Sequence, residues 1–160
     1  MDCLWAPWRS TYVKEKRDPE VCIFCVAAQA GSGQDSLVVH RGQHNFIILN
    51  RYPYTSGHLM IAPYQHASRL SQIDSAAAAE MMYLAQKAEE VLQRAYRADG
   101  FNIGMNLGQA AGAGIEEHIH LHVLPRWIGD ANFMTTVGAT RVLPEDLKTS
   151  FEKIKEAFPG

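Results

Sequence analysis

The chain alternates between two hydrophobic periods, and the switches between them outline its elements. LVVH (37–40) and HNFIILN (44–50) are apolar, β-branched runs separated by RGQ, which predicts a hairpin. SGQDS (32–36) marks a turn ahead of it, YPYTSG (52–57) reads as a loop, and HLMIAPY (58–64) reads as a third strand. From Asp74 to Ala98 the period becomes helical: Met81, Leu84, Ala88, Val91, Leu92 and Ala95 recur on one stripe. Asp74 is placed to cap the start of this helix, and Gly100 follows its end. FNIGMNL (101–107), the glycine-rich turn GQAAGAG (108–114) and the segment 118–124 predict a second hairpin with a short loop. PEDLKTSFEKIKEAF (144–158) predicts an amphipathic helix opening on Pro144.

The order strand, strand, strand, helix, strand, strand, helix implies an α+β fold. Its expected form is an antiparallel sheet of about five strands, with a long helix and a C-terminal helix on one face. The chain's 160 residues suit one domain. The expected division is an N-terminal arm (1–20), a main domain (21–147) and a C-terminal helix (148–160) packed on that domain. The net charge of −2 supplies no basic field for a nucleic-acid polymer or an anionic membrane. No apolar run resembles a signal peptide or a membrane span, so a cytoplasmic address is expected. Of the three cysteines, Cys22 and Cys25 form a CxxC pair, which in a reducing compartment suits metal binding or redox chemistry. Cys3 matches no motif.

The chemistry concentrates in IEEHIHLHVLPRW (115–127), where His118, His120 and His122 alternate with Ile119, Leu121 and Val123. On a strand, alternate residues share a face, so the three imidazoles are expected on one side and the aliphatic residues on the core side. Three readings compete. The histidines can be polar residues on the solvated face of a half-exposed sheet. A strand-borne HxH pair with a third ligand can hold a catalytic metal. A neutral imidazole can also attack phosphorus directly, with neighbouring donors and turn amides holding the phosphate oxygens.

HIHLHVL also resembles the HxHxHxx signature of the histidine triad superfamily. LNRYPYTSGHLMIAPYQH is similar to that superfamily's strand–loop–strand, and FNIGMNLGQAAGAGIEEH to the strand and glycine turn that lead into the triad. WAPWR, CIFC and LPRWIGDANFM look most like the bacterial branch described as dinucleoside-polyphosphate phosphorylases, and the resemblance runs over residues 4–147.

The resemblance implies that His120 attacks the α-phosphorus of a nucleotide to form a nucleotidyl-histidine, which water, phosphate or another acceptor then releases. It gives His122 the phosphate oxygens, Asn50 the ribose hydroxyls and Asn106 the phosphates. It also puts His58 near the triad and lets Gly112 and Gly114 present a phosphate-binding turn. A local reading of Asn50 and Asn106, as turn or strand-end hydrogen bonders, competes with these roles. Gly114 and Glu116 stand where many hydrolases of the superfamily carry Gln and Thr or Ser, which favours the phosphorylase or transferase end. In zinc-carrying members the CxxC joins two histidines, here His66 and His118, so a structural zinc on Cys22, Cys25, His66 and His118 is implied. The implied partners are a nucleotide or dinucleotide substrate and a second copy of the chain in a homodimer. Two other functions compete: a zinc-dependent hydrolase built on the HxH strand, and a non-catalytic nucleotide-binding regulatory module. His40 and His44, beside the first hairpin turn, are expected to face solvent.

Overall fold

The computed structural model describes residues 21–31, 34–131 and 143–158. The arm 1–20, with Cys3, and the stretch 132–142 lie outside them. In chain order the main elements are α1 (Ile23–Gln29), β1 (Val38–Arg41), β2 (Asn45–Leu49), β3 (Leu59–Pro63), α2 (Ser75–Tyr96), β4 (Gly100–Gly104), β5 (Leu121–Arg126) and α3 (Leu147–Ala157). The strands form one five-stranded antiparallel sheet in the order β1-β2-β3-β5-β4. The α+β architecture expected from the pattern is the one observed.

Alternation explains the main core. Val39, Ile47, Leu49, Leu59, Ile61, Ile119, Leu121 and Val123 all turn to one side. There they meet Met81, Leu84, Ala88 and Leu92 of α2 and Phe151 and Ile154 of α3. The C-terminal helix therefore shares the core of the main sheet. Asp74 caps α2 by accepting the Ala77 N–H at 2.7 Å. The helix stops on Arg97, in the left-handed conformation at φ 51°, so no glycine ends it; Gly100 instead opens β4. Asp146, rather than Pro144, starts α3, accepting the Thr149 N–H at 2.9 Å.

The long helix and the C-terminal helix share one face as expected, and α1, which the pattern does not announce, covers the other. Val38, Phe46, Ile48, Met60 and Ala62 form a second apolar layer on the opposite face, covered by Phe24 and Ala27. With seven residues and no side-chain cap at Cys22, α1 is too short to persist without tertiary contacts. Arg41 supplies one, donating to the carbonyls of Ala27 at 3.1 Å, Ala28 at 2.9 Å and Ala30 at 2.5 Å. His40 and His44 are half-buried rather than solvent-facing. The His40 ring stacks on Phe158 at 5.1 Å. Among the described residues no helix is long and apolar enough to cross a membrane.

The second hairpin also differs from expectation. β4 ends at Gly104 and β5 begins at Leu121, so residues 105–120 form a long connection that includes a short 3-10 turn at Gln109–Ala111. His118 and His120 precede the regular strand, and of the three histidines only His122 sits within it. One reason is local: the Ile119 N–H donates to the carbonyl of Ala67 at 2.8 Å instead of joining the ladder.

Candidate active site

Strand register brings the histidines together. His122 pairs with Met60 of β3 and Gly104 of β4, and its ring lies on the face away from α2. His58, just before β3, reaches it directly, with Nε2 at 2.8 Å from His122 Nδ1. Delivering His58 requires the preceding turn to pass close to α2. Gly57 has φ 77°, and a Cβ there would lie 2.9 Å from the Tyr96 ring and 3.1 Å from Leu92. No other residue fits without displacing the loop.

All three triad histidines are buried: His118 is 0% exposed, His120 5% and His122 8%. That excludes the solvated-face reading. Burial pushes all three imidazoles below their ordinary pKa, and the neighbouring His120 helps to bring His122 down to about 4. Each ring is therefore neutral near pH 7 and must choose which nitrogen keeps its proton.

The surrounding acceptors make that choice. His118 donates from Nε2 to the Pro63 carbonyl at 2.9 Å, leaving the Nδ1 lone pair toward Cys22 Sγ at 3.3 Å. His120 donates from Nδ1 to the His118 carbonyl at 2.9 Å, so Nε2 carries a free lone pair. His58 Nδ1 accepts the Tyr54 N–H at 3.1 Å and faces the Asn50 amide nitrogen at 3.2 Å, so its proton is on Nε2. That proton goes to His122 Nδ1, and the neutral His122 ring keeps its own on Nε2. The result is a base at His120 beside a donor at His122, with ring centroids 4.8 Å apart. Phe24 of α1 covers this pair's other neighbour, packing on His118 at 5.2 Å and on His120 at 4.8 Å.

The remaining expected residues are placed less uniformly. Asn50 is half-buried; its carbonyl oxygen accepts the Tyr52 N–H at 2.9 Å and its amide faces His58, so it shapes the loop that orients the histidine. Asn106 follows β4 and is half-buried. In the glycine turn, the Ala111, Gly112 and Ala113 amides donate back to the carbonyls of Gly108 and Gln109. Gly112, at φ 83°, thus contributes the turn's shape rather than a free N–H, and Gly114 lies at the turn's exposed end.

Cys22, Cys25, His66 and His118 converge separately. Their donor atoms all lie within 4.8 Å of one another, with Cys25 Sγ at 3.3 Å from His66 Nδ1 and 3.7 Å from His118 Nδ1. Tetrahedral zinc with bonds of about 2.0–2.3 Å would set its ligands roughly 3.3–3.8 Å apart, the range in which Cys22–His118, Cys25–His66 and Cys25–His118 lie. The orientation of His118 fits too, since its Nδ1 lone pair points to the sulfurs. Among the described residues this is the one group of three or more His, Cys, Asp or Glu side chains able to hold a metal. His120 and His122 do not belong to it, which removes support from a catalytic metal on the HxH segment.

Comparison with known proteins agrees with this geometry. The HIT domain model matches residues 32–127. The chain belongs to the HIT family. As a member it is a nucleotide-binding enzyme of the hydrolase and transferase type. The AP-4-A phosphorylase of Mycobacterium tuberculosis is 43% identical over 153 residues, covering 91% of this chain and 78% of that protein. A zinc-bound histidine triad family protein from Mycobacterium smegmatis superposes with TM-score 0.68 at 29% identity, covering 85% of this chain and 91% of that one. A histidine triad nucleotide-binding protein from Sulfolobus tokodaii gives TM-score 0.67 at 25% identity, over 85% and 91% of the two chains.

Two contributors to this HIT site escaped sequence reasoning. Phe24 sits inside the CIFC motif, where the cysteines drew the attention and the apolar run IFCVAA was the available signal for a covering helix. The Tyr54 N–H, which sets the His58 tautomer, is a backbone group and leaves no trace in residue identity.

Proposed function

We propose that the protein catalyses nucleotidyl transfer from AMP-linked substrates, dinucleoside polyphosphates foremost, through a covalent nucleotidyl-histidine. The observation that carries the reading is the free Nε2 lone pair of buried, neutral His120 beside the Nε2–H of His122. His120 Nε2 attacks the α-phosphorus in line. The N–P bond forms as the bond from phosphorus to the bridging oxygen breaks, and the leaving nucleoside polyphosphate takes the electron pair. His122 donates to the phosphate oxygens, where charge accumulates. The acceptor then attacks phosphorus, the N–P bond breaks, and His120 returns to its neutral state. Asn50 and Asn106 are the proposed contacts to ribose and phosphate, and the glycine turn with Gly112 and Gly114 shapes the phosphate's path.

The similarity to an AP-4-A phosphorylase and the Gly114 and Glu116 departures favour phosphate as the acceptor. Incubation with diadenosine tetraphosphate should yield ADP only when phosphate is added; AMP formed without phosphate would mark a hydrolase instead. The His120→Asn variant should lose at least about 10⁴-fold in turnover while still binding nucleotide. Undiminished turnover would refute the nucleophile, and binding without any turnover by the wild type would support a regulatory module.

We further assign a structural zinc to Cys22, Cys25, His66 and His118, where it would tie α1 to the histidine segment. Thiols used this way suit the cytoplasm. A homodimer is proposed through β4, an edge strand whose Ile103 is 44% exposed.

A further inference from the structure

A groove of about 860 Å³ runs between residues 68–71 and the glycine-turn segment 107–117. The volume is that of a small-molecule site. Both of its walls are linked to the histidine segment. Gly108 and Gly114 belong both to the groove and to the turn leading into the triad. The 68–71 segment follows Ala67, whose carbonyl is bonded to Ile119, between His118 and His120.

The 68–71 side is held in shape from within. The Gln72 side-chain oxygen accepts the N–H groups of Ser68 at 2.9 Å and Arg69 at 3.0 Å, together with the Ser68 hydroxyl at 3.2 Å. The Gln65 amide donates to the Gln72 carbonyl at 3.0 Å. A surface turn with this many internal bonds is pre-organised, which lowers the cost of ordering it around a ligand.

The lining chemistry is mixed in a selective way. Arg69 is an exposed guanidinium, the group best matched to phosphate oxygens. Glu116 and Glu117 are exposed carboxylates that accept only, as the cis-diol of a ribose requires. Leu70 and Leu107, 46% and 45% exposed, offer apolar surface to a base. The set suits a ligand that carries phosphate, hydroxyls and a flat apolar body together.

We propose that this groove is the subsite for the departing half of the substrate, a nucleoside polyphosphate. Arg69 pairs with its phosphates, Glu116 and Glu117 accept from its ribose, and Leu70 and Leu107 flank its base. The assignment rests on the nucleotidyl-transfer reading above and adds where the leaving nucleotide goes.

Calorimetric titration of the His120→Asn protein, which avoids turnover, separates the two. AMP reports the reaction-centre half alone, and diadenosine tetraphosphate reports both halves. Diadenosine tetraphosphate should bind at least about tenfold tighter than AMP, and adding Arg69→Gln should abolish most of that gain. An equal gain with and without Arg69→Gln, or no gain at all, overturns the groove assignment and leaves the proposed function standing. Failure of both compounds to bind overturns the proposed function and the groove together.

Discussion

The two ends of the histidine segment hold the same side chain, at the same spacing, in opposite arrangements. At one end His118 turns Nδ1 toward two sulfurs and His66, and its Nε2 is bonded to a backbone carbonyl. Two residues on, His120 reverses the arrangement, bonding Nδ1 to backbone and leaving Nε2 open. His122 differs again, because its Nδ1 accepts from His58 and its Nε2 therefore donates. Function is thus set less by the imidazole than by whatever occupies its other nitrogen. The backbone decides at His118 and His120; a fourth histidine, itself oriented by the Tyr54 N–H, decides at His122.

Replacing Cys22 and Cys25 by serine should abolish zinc retention, read by elemental analysis. Stability should fall by on the order of 4 kcal/mol if free zinc stood near a thousand times its dissociation constant, read by denaturant unfolding. Zinc retained in full by that variant would refute the assignment. A smaller loss is expected where the two ends meet. Phe24→Ala empties the space against His118 and His120 and should cost about 3 kcal/mol, the usual toll for a buried phenylalanine. A cost below about 1 kcal/mol would show that α1 is not a structural bridge between the ends.

The smallest effect isolates the reaction end. His58→Gln removes the ring that fixes the His122 tautomer and should lower kcat/KM about tenfold, with zinc content unaltered. Unchanged kcat/KM would mean that His122 finds its tautomer without help.

Much of this architecture was legible because it rests on periodicity. Ile119, Leu121 and Val123 turn into the core as alternation requires, and Asp74 caps α2 as its position before a helical stripe suggests. The convergence of Cys22, Cys25, His66 and His118 was legible through resemblance, since no spacing rule joins Cys22 to His118. What stayed hidden depended on contacts between distant segments. Seven residues of α1 are too few for a helical stripe to declare itself, and the helix exists because Arg41 and the β1–β3 surface hold it. His118 and His120 left the strand because Ala67 competes for the Ile119 N–H. The tautomers, which carry the chemistry, depend on carbonyls and amides that every residue possesses.

The most direct test of this division of labour is where a nucleotide becomes attached. Wild-type protein mixed with diadenosine tetraphosphate in the absence of phosphate, quenched at neutral pH and mapped by peptide mass spectrometry, should carry its AMP adduct on His120 alone. An adduct on His118 or His122, or none on a protein that forms ADP once phosphate is added, would contradict it.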